Sequence, residues 1–559
     1  MNESLHWLDV LVIVLYFAVI IGYGIWVTRK VKSSDGYFVG ERKFGWWIMI
    51  AQAFGTGTHA ENFVAQTGAS FQAGFSTIWY QWKNMLITPF YWLIAPWYRR
   101  SERTTVGEIV EDRYGRGMGT FYSIFAILFF VVAQGTLLKG AGKVISVASG
   151  EMISVDWIVV VMTLAVVVYT FWGGLVATAY ANLIQAMMII ILSFMLIPFG
   201  LNAVNGFSGM RALLPDDFFQ LFSERLDIGL FTVSMLALNG LVGITAQPHM
   251  ISMCATGKTE RAGRVGQTYG SLVKRLVTIG WALTGMIVAA LVIQTDQQLN
   301  DPEMAFGYAC RALLGPGLVG LMIASVLSAN MSAASNFMVN NGALFTCNVY
   351  QRLTDRTLSD KRLLWVGRCS GFGLTILGGA FALYIENVLQ AFLFMETTAA
   401  FMGIMMFGGM LWKRANRYGA VSGVAVAFVL YYYLNYLDTG RLDLVYIWTP
   451  GIFGWAMLAG FLFFIIVSLF TRKEDVSRTQ AFFDKMQRLS DAETSPDDGK
   501  KPLASKFGKD LMLVDLPGWF TRARWIDFLK RYREDWFGFI LATCFVGFLI
   551  LIAWGIIQL

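Results

Sequence analysis

Charge is scarce in this chain. Of its 559 residues only 14% are Asp, Glu, Lys or Arg, while 56% are hydrophobic and 15% aromatic. Soluble domains cannot be built from such a composition, because too few polar side chains remain to face water, so the chain reads as a polytopic membrane protein. Histidine is scarcer still: His6, His59 and His249 form no HExxH pattern and no spacing for a hydrolytic metal site, which argues against an enzyme. The five cysteines, Cys254, Cys310, Cys347, Cys369 and Cys544, are odd in number and scattered, so neither a disulfide framework nor a metal motif is supported. They read as small core residues. The formal charge is +7, yet the basic residues fall in alternate loops, which marks topology and not a nucleic-acid footprint. A secretory signal is also missing. The first apolar segment follows Glu3 and Asp9 and precedes Arg29, Lys30 and Lys32, the reverse of a signal's charge order, so it reads as a retained helix with its N-terminus outside.

Apolar sequence of helical length is what the chain has in abundance. Spans are expected near 7–27, 45–71, 77–97, 119–148, 155–173, 175–200, 229–253, 265–293, 313–348, 363–385, 388–412, 418–437, 447–471 and 535–557, 14 in all. Counted from an outer N-terminus, the inner loops hold Arg42/Lys43, Arg99/Arg100/Arg103/Arg113/Arg116, Lys258/Arg261/Arg264, Arg352/Arg356/Lys361/Arg362 and Lys413/Arg414/Arg417. The outer loops hold acids instead, among them Asp216, Asp217, Glu224, Asp227, Asp296, Asp301, Glu303, Asp438 and Asp443. This agrees with the positive-inside rule and puts both termini outside an inner (plasma) membrane. The polar segment 472–534 then lies inside: Ser490–Pro502 reads as linker, and the stretch from Trp519 through Trp525, Phe528, Leu529 and Tyr532 suits a helix lying on the membrane surface, or a plain juxtamembrane helix.

Three of the spans carry the wrong residues for plain membrane helices. Ala51–Ser70, AQAFGTGTHAENFVAQTGAS, has Gly55, Thr56, Gly57, Thr58, His59, Glu61 and Asn62 in its middle. Glycines weaken a helix there, and ionisable groups inside a membrane mark a cavity or a partner, so a discontinuous helix at a transport site is expected. Five spans later Asn239, Gly240, Gly243, Thr245, Gln247, Pro248 and His249 interrupt a second segment. Two breaks in matching positions point to an inverted repeat with a midplane site. In the ninth span Ser325, Ser328, Ala329, Ser332, Ser335, Asn336 and Asn340 share one helix face. Such a face can supply oxygens to a small hard cation or hydrogen bonds between helices.

Several motifs together give the chain a familiar pattern: DGYFVGERKFGWW (35–47), TTVGEIVEDRYG (104–115), GGLVATAYANLIQ (173–185), AQPHMI (246–251), MSAASNFMVNNGALFTCNVY (331–350) and FGGMLWKRANRYGAVSG (407–423). Over roughly residues 5–470 it resembles the sodium:solute symporters. The resemblance implies an all-α, LeuT-type inverted-repeat core of 5+5 helices, with one extra helix before it and about three after, and alternating access. The expected division is 1–43, an outward-start helix and inner loop; 44–201, the first repeat; 202–228, an outer loop; 229–412, the second repeat; 413–471, two spans; 472–534, the inner segment; and 535–559, the last span. Carried over residue by residue, the resemblance puts a co-transported Na+ at Gly55, Thr58, Ala329 and Ser332. Ala333 and Asn182 depart from the family, which has a hydroxyl at the first and often Asp at the second, and Gly57 stands where the proline branch has Asp. Solute contacts are implied at Asn62, Gln81, Asn239 and Lys274, and Gln247 of the second break joins them.

His59, Glu61, Lys83, Lys139, His249 and Glu396 are coupling or charge-pair candidates, since each is ionisable within a span. With Lys143 and Arg275 the membrane cations favour a small carboxylate or zwitterion as solute. Sodium symport is the leading reading. Sodium-independent transport, proton-coupled or facilitative, is the rival, and a membrane solute sensor is a third. No organic cofactor, nucleic acid or obligatory protein partner is expected.

Overall fold

The computed structural model describes residues 5–28, 34–223, 228–354, 359–488, 510–514 and 525–559. The expected linker 490–502, Trp519, and the loop residues Arg29, Lys30, Lys32, Glu224, Asp227 and Arg356 lie outside them.

After α1 (Trp7–Thr28), the expected break appears as two helices, α2 (Trp46–Thr56) and α3 (Ala60–Ala73), separated by Gly57, Thr58 and His59. There follow α4 (Thr88–Ser101), α5 (Val106–Tyr114), α6 (Arg116–Ala148) and α7 (Val155–Ala203). The second break follows α8 (Leu230–Ile244), where Thr245–His249 is non-helical. Next come α9 (Glu260–Gln294), α10 (Leu318–Leu344), α11 (Asp360–Tyr384), α12 (Val388–Leu411), α13 (Arg417–Thr439), α14 (Pro450–Phe470), α15 (Val476–Met486) and α16 (Arg533–Gln558).

The helix starts follow local chemistry. Thr105 accepts from the Glu108 N–H (3.2 Å), Thr259 from Ala262 (3.2 Å), Asn387 from Gln390 (2.8 Å) and Asn416 from Gly419 (2.9 Å), so each satisfies a first-turn donor that would otherwise lack a partner.

The stretches 155–173 and 175–200 fall within one run of helical backbone, α7, of 49 residues. Its first proline is Pro198, and nothing before it bars helical backbone. The run is bent, because Thr170 bonds Ser335 (2.8 Å) and Asn182 bonds Ser332 (2.5 Å), partners only three positions apart on α10. Apolar runs at Val155–Val168 and Asn182–Ala203 occupy its two halves. Of the described part of the stretch expected to lie on the membrane surface, Trp525–Ile526 and Phe528–Arg531 are helical, and α16 begins at Arg533.

Among the described residues nine helices are long and apolar enough to cross a membrane, including α6, the second half of α7, α9, α10 and α16. Helices α9 and α10 are buried along most of their length, whereas α13, α14 and α16 present large apolar side chains outward, such as Trp455 and Phe470 (86% exposed). An apolar exterior around a polar centre is the arrangement a bilayer requires. At one end of the bundle Lys143 of α6 binds Asp301 (2.8 Å) and Glu303 (2.6 Å), while Asp9 accepts from the Gly317 (2.6 Å) and Gly320 (2.8 Å) N–H groups. A buried chain of charges, Arg100–Glu260–Arg264–Asp535, links α4, α9 and α16 at 2.6–2.9 Å.

Candidate functional site

Both breaks open onto one cavity. The first break contributes Thr56, Gly57, His59 and Asn62, and the second Ile244, Gln247 and His249. Breaking a helix frees carbonyls that must find donors away from water. At the first break the Lys274 ammonium donates to the Gly57 carbonyl and to Asn62 Oδ1 (3.1 Å), and Asn62 Oδ1 also accepts from the His59 N–H (3.1 Å). At the second break two tyrosine hydroxyls take that part, Tyr98 donating to the Thr245 carbonyl (2.8 Å) and Tyr122 to that of Ala246 (2.6 Å). A cation against the last carbonyls of α2 also suits the negative end of its dipole.

Three cations and one carboxylate line the cavity. Lys83 donates to Glu396 and to Asn239 Oδ1 (3.3 Å), and Glu396 accepts in addition from Gln247 (2.9 Å), so this pair is internally neutralised. Lys274 and Arg275 have no carboxylate at ion-pair distance among the described residues; Arg275 instead donates to the Gln81 carbonyl (2.6 Å). Several buried polar atoms facing this space have no hydrogen-bond partner: both ends of the Gln81 amide, Asn62 Nδ2, Gln267 Oε1, Arg275 Nε and His249 Nδ1. Buried polar atoms are costly when left unpaired, so a concentration of them around one cavity is the signature of a polar ligand. Phe129, Phe337, Phe392 and Met395 form an apolar wall beside them, with His249 against Phe129 and Phe337 at 6.2 and 5.9 Å between ring centroids.

Of the expected solute contacts, Asn62, Gln81, Lys274 and Gln247 reach the cavity directly, and Asn239 stands one hydrogen bond behind it through Lys83. His59, His249, Lys83 and Glu396 line it too. Glu61 does not. It is fully buried and faces His59 Nδ1 across the start of α3. Two of the membrane cations also point elsewhere. Lys139 pairs with the exposed Asp156 at 3.6 Å, and Lys143 belongs to the Asp301/Glu303 cluster. The lysine concentration read along the chain is therefore three cations at the cavity and two away from it. Asn84, Tyr91, Gln267 and Ser271 line the site without having been anticipated. Gln267, Ser271 and Lys274 are spaced by four and three on α9, a one-face pattern that was there to be read.

Beside the first break lies a closed ring of neutral groups. Ser332 donates to Asn182 Oδ1 (2.5 Å), Asn182 to Gln52 Oε1 (2.7 Å), Gln52 to Asn336 Oδ1 (2.8 Å), and Asn336 to the Ser332 carbonyl (3.2 Å). Gly55 packs on this ring: a Cβ there would come within 2.9 Å of Ser332 Oγ and 3.4 Å of Asn182 Cγ. Thr58 is buried with its hydroxyl unpartnered, and the neighbouring Ala60 N–H is held by Asn330 (2.8 Å), next to the buried Ala329. Gly55, Ser332 and Asn182 are thus in contact, and Thr58 and Ala329 flank the Ala60–Asn330 bond along their own chains. Ala333 brings no oxygen of its own side chain.

The sequence profile described as "Sodium:solute symporter family" matches residues 37–427. The chain belongs to that family. Among curated relatives of this symporter, the sodium/glucose cotransporter of Vibrio parahaemolyticus is 23% identical over 476 residues, covering 78% of this chain and 86% of that protein. The high-affinity proline transporter PutP of Bacillus subtilis is 25% identical over 496 residues, 84% of this chain and 99% of that one. Mouse sodium/myo-inositol cotransporter 2 is 24% identical over 482 residues, with 77% and 70% coverage. In structure, a Na+-coupled sialic acid symporter in a substrate-bound outward-open state superposes with a TM-score of 0.69 at 17% identity, over 84% of this symporter and 99% of its own chain. That likeness establishes the LeuT-type helical fold. The protein is accordingly an integral membrane transporter and not an enzyme.

Proposed function

We propose that this symporter uses a sodium gradient to drive uptake of a small organic anion, a carboxylate, through the cavity between the two helix breaks. Its net positive lining carries the reading: Lys83 is neutralised by Glu396, while Lys274 and Arg275 are left facing unpartnered amide groups. A buried cation with no carboxylate at ion-pair distance is costly, and a carboxylate solute supplies that partner. Asn62, Gln81 and Gln247 orient it, with Asn239 holding Lys83 in place. Membership of the family and the names of its relatives support sodium as the driving ion. We assign Na+ to the space among Gly55, Thr58, Ala329 and Ser332, beside Asn182. Residues 44–201 and 229–412 act as two inverted repeats rocking about that space, within a 14-span chain whose termini are both outside.

The neutral ring at Asn182 and Ser332 favours one rival, transport driven by protons, with the His59–Glu61 pair as carrier. Proteoliposomes separate these. Accumulation of organic acids under an inward Na+ gradient is the expected result; accumulation under a proton gradient alone would establish the rival, and binding without flux a sensor.

A further inference from the structure

We infer that Lys274 is a built-in ammonium that makes this carrier select carboxylates lacking an amino group and reject the corresponding amino acids. The inference rests on the anionic-solute reading above and narrows it. An ammonium on a solute needs carbonyl or carboxylate acceptors, and the helix break supplies the exposed carbonyls of a transport site. Here the Gly57 carbonyl and Asn62 Oδ1 are already taken by Lys274. The one carboxylate lining the cavity, Glu396, is engaged by Lys83 and Gln247. A solute ammonium would therefore find the break's carbonyl and the cavity's carboxylate engaged, with only the neutral amide oxygens of Gln81 and Gln267 open to it, and two cations without a carboxylate at ion-pair distance, Lys274 and Arg275, close by. A carboxylate meets the opposite situation. An ammonium has three donors, so with two committed Lys274 keeps one for the solute, and the Gln81 amide and Arg275 Nε add unpartnered donors. The wall of Phe129, Phe337 and Phe392 takes an apolar body on the other side.

The test uses the full-length chain in proteoliposomes under a Na+ gradient, with matched pairs: lactate and alanine, 2-hydroxyisocaproate and leucine, phenyllactate and phenylalanine. The wild type is expected to favour the hydroxy acid at least tenfold in at least one pair. Lys274→Met frees Gly57 and Asn62 and removes a cation, so it should shift that ratio toward the amino acid by tenfold or more, whereas Lys274→Arg should keep it. Equal uptake of both members, or a preference for the amino acid, overturns the inference and leaves the anionic reading standing. So does a Lys274→Met protein that elutes as a folded monodisperse species with an unchanged ratio. Should Lys274→Met not fold, the wild-type ratio decides by itself. Uptake of glucose or myo-inositol with no carboxylate taken up overturns both.

Discussion

Lys83 and Glu396 are 313 positions apart in the chain, yet they form the cavity's internal ion pair. Taking one partner away leaves the other charged in a dry site, a change that costs about 3–5 kcal/mol, while replacing both by apolar groups of similar size is near neutral. Glu396→Gln should therefore lower the thermal midpoint in detergent sharply and abolish uptake, and Lys83→Met with Glu396→Met should restore the midpoint but not the uptake. A double mutant as unstable as the single one would show that the pair is not what holds these side chains in place. Asn182 gives a second test. Asn182→Asp puts a carboxylate against Ser332 and Gly55, so the Na+ concentration for half-maximal uptake should fall about tenfold, equivalent to about 1.4 kcal/mol. Unchanged sodium dependence would remove the cation from that spot.

The two broken helices were the most legible elements, because glycine, proline and ionisable residues in an apolar run conflict with an unbroken span. Gly57 and Pro248 lie in the two breaks as expected. What fills those breaks was only half legible. Lys274 could be picked out as a membrane cation, but its acceptor at Gly57, 217 positions away, is set by packing. The ring of Gln52, Asn182, Ser332 and Asn336 joins three helices, and no local period announces it. Lys139 takes the charge-pair role, with Asp156, and does not reach the cavity. Four residues along a helix keep Lys139 and Lys143 on one side of α6, but that side faces Asp156 and Glu303 and not the cavity.

Tyr98 and Tyr122 were silent in the sequence, since a tyrosine in a span looks like an interface anchor. Each satisfies a buried carbonyl, so Tyr98→Phe and Tyr122→Phe should each cost about 1–3 kcal/mol. Faster amide exchange across 244–250 than in the parent would report the loosened break; exchange unchanged in both variants would mean that the carbonyls have other donors.

Across the whole molecule, α16 is fastened to the core from one end. Asp535 accepts from Arg264 (2.6 Å) and from the Met512 N–H (2.7 Å), and Gly538 allows Trp92 to pack on the helix. Asp535→Asn should destabilise the fold by about 3 kcal/mol, because Arg264 is buried and loses one of its two acids. No residue of α16 lines the cavity, so the KM for solute should stay within about twofold, the drift expected of a distant substitution with no shared partners. A larger change in KM than in thermal midpoint would indicate that α16 acts on the transport site itself.

The unbalanced charge of Lys274 and Arg275 has a further outcome at this scale. A carrier must return empty after each delivery, and these two cations go through that step without a solute to offset them. Each elementary charge moved across the full field is worth about 2.3 kcal/mol per 100 mV. An inside-negative membrane would therefore favour the inward-facing form of the empty protein and slow its return, making the resting voltage a brake on turnover when solute is absent outside. Transient currents recorded without solute, and shrinking in Lys274→Met, would be the electrical trace of that step.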